Sequence, residues 1–364
     1  MDDKVYLQIA GKRIENFESY RVEADLYNAD DAFSLELSNP ESDVKAGMRC
    51  QLYVNDTIEL DGIIDRVAKG YSKRGTRLSV DGRDLMGLLV DSYAEDFVTV
   101  EGKKVKDLAE MMIGKTSRHP ALPFLSRIPI EYQKNFVGKG RGKKQTVSQP
   151  LIAFLETAQK ISHIEQGMTV FEVLRSYAMS RGLMFWMEYT KAGPQFVFGR
   201  PVAKGNASYT LAHLESGAGN NVLAGEEVVD YSRRYSKVTV YSQGQGHQDH
   251  GLNAAAVNGK AVREDADFPF YKPFVTKLTN DSQSPALHAR LLLEKQRHDG
   301  YQLHYTVQGY SQDGQNYRIN ELALVIDEKF GLSDYFLIFG RTFERSKDQG
   351  SVTRLKLGRP GLVA

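Results

Sequence analysis

The chain has 364 residues, 41% of them hydrophobic and 26% charged, a balance that excludes disordered and fibrous proteins and suits a globular one. Its length exceeds what one core organises, so roughly two to four compact units are expected. Lys plus Arg number 47 and Asp plus Glu 46, which leaves no whole-chain field drawing the protein to nucleic acid or an anionic membrane.

The first ninety or so residues read as strands. Val5–Ile9 ends at Gly11, and Phe33–Leu37 alternates before Asn39-Pro40; Cys50–Val54, Gly62–Val67 and Thr76–Val80 follow. Period-2 alternation broken by Gly, Asn and Asp predicts antiparallel strands with one wet face, in a small barrel or sandwich. Val105–Lys115 reads as a helix with Leu108, Met111 and Met112 on one face. Residues 116–150 carry Pro120, Pro123, Pro129 and Pro150 around the basic run Gly138–Lys144, and resist regular structure.

Thr169-Val170-Phe171-Glu172 has capping-box spacing and predicts a helix to about Arg181, stopped by Gly182. A strand pair, Leu183–Tyr189 and Gln195–Phe198, completes a small α+β unit. Ser236–Tyr241 is strand again, and Gln243–Asp267 reads as an excursion. Ser284-Pro285 offers an N-cap and a first-turn proline for a helix ending at Gly300; Tyr301–Leu357 returns to β.

Two segments look alike, Gln51–Asp84 and Glu321–Pro360. Each has an alternating strand, a polar connection, a second strand ending near a glycine (Gly62 or Gly340), an arginine-bearing strand, a charged loop and a last strand closing on Gly-Arg. On the residues alone, duplication and coincidence between two antiparallel β-modules both explain this pattern.

Signals for chemistry fall short. Gly138–Lys144 has three residues rather than four between Gly138 and Gly142, and Lys144 stands where a phosphate loop needs a hydroxyl, so a flexible basic loop is expected. His247-Gln248-Asp249-His250 lies in a Gly-rich stretch without a scaffold to fix metal ligands, and reads as solvated loop. His288 and His298 share a helix on different faces and are expected at the surface, with His304 partly exposed on a strand. Gly309–Gly314 misses nucleophile-elbow spacing by one residue and reads as a hairpin with Asp313-Gly314 at its tip.

Asp30-Asp31 and Glu226-Glu227 are adjacent in sequence and should point apart, poor geometry for shared acid–base work. The single cysteine, Cys50, cannot form an intramolecular disulfide and should be buried and inert. No basic segment followed by an apolar stretch opens the chain, so no signal peptide is expected, and no apolar run approaches the ~20 residues that span a bilayer. No catalytic, cofactor-binding or metal-binding residue is assigned.

Ala32–Pro40, Ala46-Gly47-Met48, Leu60–Asp65, Ser79–Leu85 continuing to Leu88–Asp91, Gly167–Leu174, Gly219-Asn220-Asn221 and Arg234–Val240 with Gly244-Gln245 occur in an order and spacing that resembles the baseplate hub proteins of Mu-like phage tails. Late-control D proteins and other contractile-tail hubs are more distant relatives of that family. Departures from the family pattern concentrate in residues 116–166 and 245–285.

The resemblance implies a mainly β fold with α+β insertions, built from two similar antiparallel β-barrel modules and two inserted domains. The expected boundaries are 1–95 for the first module, 96–205 for an α+β insert, 206–243 with 301–364 for the second module, and 244–300 for a small insert. It further implies a non-enzymatic homotrimer whose ring of six modules adapts a six-fold tail tube to a three-fold central spike. Other baseplate proteins would be neighbours, tape measure protein would occupy the channel, and DNA would be passing cargo without membrane insertion. The expected location is the virion baseplate, after assembly in the bacterial host cytoplasm. Two rival readings are a tail-associated cell-wall hydrolase, which would need a positioned carboxylate pair or a zinc site, and a nucleic-acid-binding module using the basic loop 134–144.

Overall fold

The computed structural model describes residues 3–37, 43–73, 75–94, 102–116, 125–133, 167–190, 192–243, 257–278, 284–346 and 350–362. The basic loop 134–144 and the His247–His250 stretch lie outside them.

Seven strands come first: β1 (Val5–Ile9), β2 (Lys12–Ile14), β3 (Phe17–Asp25), β4 (Ala32–Leu37), β5 (Arg49–Val54), β6 (Thr57–Ser72) and β7 (Gly75–Asp84). Next stand α1 (Met86–Asp91), α2 (Val105–Thr116), β8 (Ile130–Tyr132), α3 (Val170–Ser180), β9 (Met184–Thr190) and β10 (Gly193–Gly199). Then follow β11 (Tyr209–His213), β12 (Val222–Val229), β13 (Lys237–Gln243), β14 (Val257–Glu264), β15 (Pro273–Lys277) and α4 (Pro285–Asp299). The chain finishes with β16 (Tyr301–Gln308), β17 (Ser311–Gln312), β18 (Gln315–Asn316), β19 (Glu321–Asp327), β20 (Leu332–Ser346) and β21 (Gly350–Gly358).

Local signals are honoured where the chain can satisfy them alone. Thr169 Oγ1 accepts from the Glu172 N–H at 3.2 Å while Glu172 accepts from the Thr169 N–H at 2.8 Å, the reciprocal cap that starts α3. Ser284 caps α4 through the Leu287 N–H at 3.1 Å, with Pro285 in the first turn. Asp313 and Gly314 both take positive φ (52° and 80°) at the tip of the β17–β18 hairpin, as a two-residue loop requires.

One 13-stranded sheet runs β12-β16-β21-β20-β3-β4-β7-β6-β5-β1-β2, with β19 also on β20 and β11 on β19. A single apolar core follows it, from Leu7, Leu35, Leu52 and Val80 to Tyr305, Val325, Phe336 and Leu355. The protein is therefore mainly β, and among the described residues no strand pairing closes a barrel. The outer edge of β3 is occupied by β20 instead.

The ladders repeat. β3–β4, β4–β7, β7–β6 and β6–β5 have counterparts in β12–β16, β16–β21, β21–β20 and β20–β19, all antiparallel. Irregularities fall at matching places: the shift between Phe17 and Ser19 matches that between Val222 and Ala224, and the shift between Ile64 and Arg66 matches that between Ile338 and Gly340. Bulges are specific backbone features, so two coincident bulges fix the equivalence at Tyr20 with Gly225, Leu35 with Tyr305, Val80 with Leu355 and Arg66 with Gly340. The sixth strand differs in direction: β1 is antiparallel to β5, whereas β11 is parallel to β19.

This register corrects the one read from the sequence. Gly62 and Gly340 are not equivalent, and neither ends a strand; each lies inside one long strand of 16 or 15 residues. A Cβ on Gly62 would lie 1.9 Å from the Arg83 carbonyl oxygen, so the glycine marks close backbone approach rather than a break.

Two smaller units stand beside the sheet. α1, α2, α3 and the sheet β8-β10-β9 share a core of Leu89, Leu108, Leu174, Phe185, Phe196 and Phe198. β13, flanked by β14 and β15, forms a second three-stranded sheet under α4, closed by Val238, Val240, Ala289 and Leu293. The strand Lys237–Gln243, read above with the second module, hydrogen-bonds within this small unit and not to the large sheet.

Candidate functional site

The junction between the two repeats is polar at its centre. Glu59 from β6 and Arg341 from β20 form an ion pair with both side chains buried. Asn316 donates to Glu59 Oε1 and to the Val54 carbonyl, each at 2.9 Å, and Arg341 also donates to the Tyr317 carbonyl at 3.1 Å. The guanidinium lies 4.0 Å from the centre of the Phe343 ring. Burying both charges costs solvation on each, so the surrounding hydrogen bonds are what make the pair tolerable.

Beside this pair opens a cleft of about 560 Å³ between the large sheet and the α+β unit, with Asp31, Glu59, Trp186, Tyr189, Arg318 and Arg341 on its walls. The carboxylates in and around it are held by backbone N–H groups or by side-chain donors. Asp31 accepts from the Asp25 N–H at 3.0 Å, and nearby Asp84 accepts from the Met86 N–H at 3.0 Å. Asp61 is clamped by Arg49 through two hydrogen bonds of 2.8 Å and by Gln51 at 2.9 Å. Burial pushes the Asp31 carboxyl up to about 7, against the opposing pull of the Asp25 N–H, and burial together with the Asp31 charge pushes Asp84 well up.

A folded-state value raised above the unfolded 3.8 means the charged form is disfavoured in the fold. The stabilisation is whole below about pH 4 and is lost as pH rises through about 7. Asp31→Asn keeps the acceptor for the Asp25 N–H without the charge. It is expected to raise stability at pH 8 by about 1–2 kcal/mol, with the gain shrinking toward pH 5, in thermal melts at both values. An equal change at both pH values would show that Asp31 is not the titrating group.

The other residues singled out from the sequence fall as follows. Cys50 is buried, and burial pushes its thiol up to about 12, which keeps it unreactive. Asp30 pairs with Arg83 at 3.1 Å while its neighbour Asp31 turns to Asp25, so the two carboxylates do diverge. His298 corrects the expectation of a surface residue: it is buried against Tyr27 and Phe339, and burial pulls its imidazole down to about 4. His304 is partly exposed, 3.4 Å from Glu226 on β12. Among the described residues no three metal-ligating side chains gather.

Sequence reasoning missed the sheet edges, because an edge is defined only by which strand fails to arrive. Among the described residues β11 has no strand beyond it, but side-chain amides occupy its edge: Gln312 bonds both Thr210 backbone groups (2.8 and 2.9 Å), and Asn221 bonds the Ala212 N–H at 2.8 Å and the Thr210 carbonyl at 2.7 Å. Among the described residues two longer edges of the large sheet lack such cover: beyond Ile63, where β5 ends, β6 pairs only with β7, and β12 pairs only with β16. The most exposed large apolar side chains include Tyr71 (92%) on β6 and Leu223 (57%) and Val229 (53%) on β12.

Comparison with known proteins agrees with this architecture. Residues 4–84 match the family model described as Mu phage baseplate assembly protein GpP-like, N-terminal. The tail protein from Neisseria meningitidis MC58 shares 25% identity over 100% of this chain and 98% of its own, with a TM-score of 0.78. The 43 kDa tail protein of prophage MuSo2 from Shewanella oneidensis shares 22% over 99% of both chains, with a TM-score of 0.74. A component of the type VI secretion system from E. coli shares the fold at 14% identity, covering 98% of this chain and 80% of its own, with a TM-score of 0.55. No curated protein matches the chain. The resemblance to Mu-like phage tail proteins read from the sequence is borne out, and the chain's likeness is to structural proteins of phage tails and baseplates.

Proposed function

We propose that this chain is the structural baseplate hub of a contractile phage tail, a homotrimer that adapts a six-fold tail tube to a three-fold central spike. The observation that carries the reading is the repetition of four strand ladders, with two shared bulges, inside one chain. Three such chains present six similar modules, which meets six-fold symmetry on one side while the chains themselves keep three-fold symmetry on the other. In this reading residues 1–95 and 206–236 with 301–364 are the two tube-like modules, whose barrel character is completed in the ring. Residues 96–205 and 237–300 are the inserts; moving the boundary from 243 to 236 follows the pairing of β13.

The mechanism is binding geometry, with the channel taking tape measure protein and later DNA as cargo. Spike, tube and other baseplate proteins are the partners, the virion baseplate is the location, and assembly takes place in the host cytoplasm. The buried carboxylates already committed to backbone N–H groups support a non-enzymatic role.

Light scattering of the purified chain over a concentration series tests the reading. The expected result is a species at three times the 40.9 kDa chain mass. A monomer at every concentration, still monomeric after a spike protein is added, would overturn it.

A further inference from the structure

Within the chain, the two repeats are joined edge to edge. The far half of β20 pairs antiparallel with β3: Gly340 with Asp25, Arg341 with Ala24, Thr342 with Glu23, Phe343 with Val22, Glu344 with Arg21 and Arg345 with Tyr20. The equivalences set by the bulges turn β20 into β6 and β3 into β12. Among the described residues, the first repeat thus has the β20-type edge unfilled, at Arg66–Tyr71, and the second has the β3-type edge unfilled, at Gly225–Asp230. Six strands separate β12 from β6 in the sheet order, so these two edges do not meet within one chain.

We infer that β6 of one subunit pairs antiparallel with β12 of the next, placing Arg66 opposite Asp230, Val67 opposite Val229, Ala68 opposite Val228, Lys69 opposite Glu227, Gly70 opposite Glu226 and Tyr71 opposite Gly225. The inference rests on the trimer reading and specifies its contact. The in-chain junction supplies the register without adjustment, and that register then sets two cations against two anions and one valine against another. Opposite charges directly across a ladder favour pairing, and like charges oppose it. The in-chain junction carries such a pair too, Arg21 with Glu344 at 3.7 Å.

Exposure fits the same contact. Arg66, Lys69 and Tyr71 on β6, with Glu226, Glu227 and Val229 on β12, are all exposed, whereas Tyr20, Val22 and Ala24 at the filled junction are buried. Open strand edges template indiscriminate pairing, and among the described residues amide side chains cover the β11 edge while these two are bare. Glu227 and Asp230 repel an acidic edge but are matched by Lys69 and Arg66, which is how charge selects a partner.

Two sets of variants of the full chain test the contact. Ala68→Cys with Val228→Cys, in a Cys50→Ala background, should give disulfide-linked dimers and trimers under mild oxidation, with no linkage in either single variant across this edge. Lys69→Glu and Glu227→Lys should each shift trimer dissociation to at least tenfold higher concentration in light scattering, and the double variant should recover most of that loss. A stable trimer that ignores both swaps and forms no cross-link overturns the inferred contact while leaving the hub reading standing. A wild-type chain that never trimerises overturns both.

Discussion

Arg341→Ala is expected to destabilise the protein by about 3–5 kcal/mol, because it leaves the Glu59 carboxylate buried without its counter-charge. The remaining donor, Asn316 at 2.9 Å, neutralises nothing. A domain is stable by roughly 5–15 kcal/mol, so this one substitution removes a large fraction. The damage should not stay local. Arg341 also holds the Tyr317 carbonyl, and Asn316 bridges Glu59 to the Val54 carbonyl, so both repeats lose their shared polar centre. Urea denaturation monitored by the single tryptophan, Trp186, reads the effect, since that residue shares one apolar cluster with Leu337 and Phe339 of β20. The double variant Glu59→Gln with Arg341→Met should recover much of the loss, since a neutral amide and an apolar chain bury without an unpaired charge. If the single variant is as stable as the wild type, the ion pair is not the centre of the junction.

Gly62→Ala is the second large effect. The added methyl would fall 1.9 Å from the Arg83 carbonyl oxygen and 2.8 Å from the Asp84 Cα, both backbone atoms that cannot rotate aside. β6 and β7 would have to part where Gly62 faces Asp84, beside the bulge that follows Ile64. Overpacking of this kind costs about 3 kcal/mol when the obstacle is backbone. Gly114→Ala, in α2 with open space around it, is the internal control and should change stability by no more than about 1 kcal/mol. Equal melting temperatures for the two variants would contradict the close approach at Gly62.

Much of the local structure was legible in the residues. The alternation in Phe33–Leu37 and Cys50–Val54 becomes β4 and β5, with every second side chain buried. The capping box at Thr169, the N-cap at Ser284 and the turn at Asp313 depend on atoms a few residues apart, and all three form. The likeness of two segments was also visible, but its register was not: Gly62 and Gly340 are not equivalent, and the backbone equivalence follows bulges that leave no mark in composition. His298 was misplaced for a related reason. Helical spacing tells which residues share a face, but not that Tyr27 and Phe339 arrive to cover this one.

The sequence by itself determined the class, a mainly β chain, and the presence of two look-alike segments within it. These follow from periodicity, turn residues and charge spacing, all of which act over a few residues. Tertiary structure alone decided what the halves do to each other. Glu59 meets Arg341 across 282 residues, and β20 fills the edge of β3 while, among the described residues, the equivalent edges of β6 and β12 stay open. Strand pairing is chosen by which backbone reaches which edge, and a backbone carries the same N–H and C=O groups whatever its side chains. Only the fold could show where those groups still face outward.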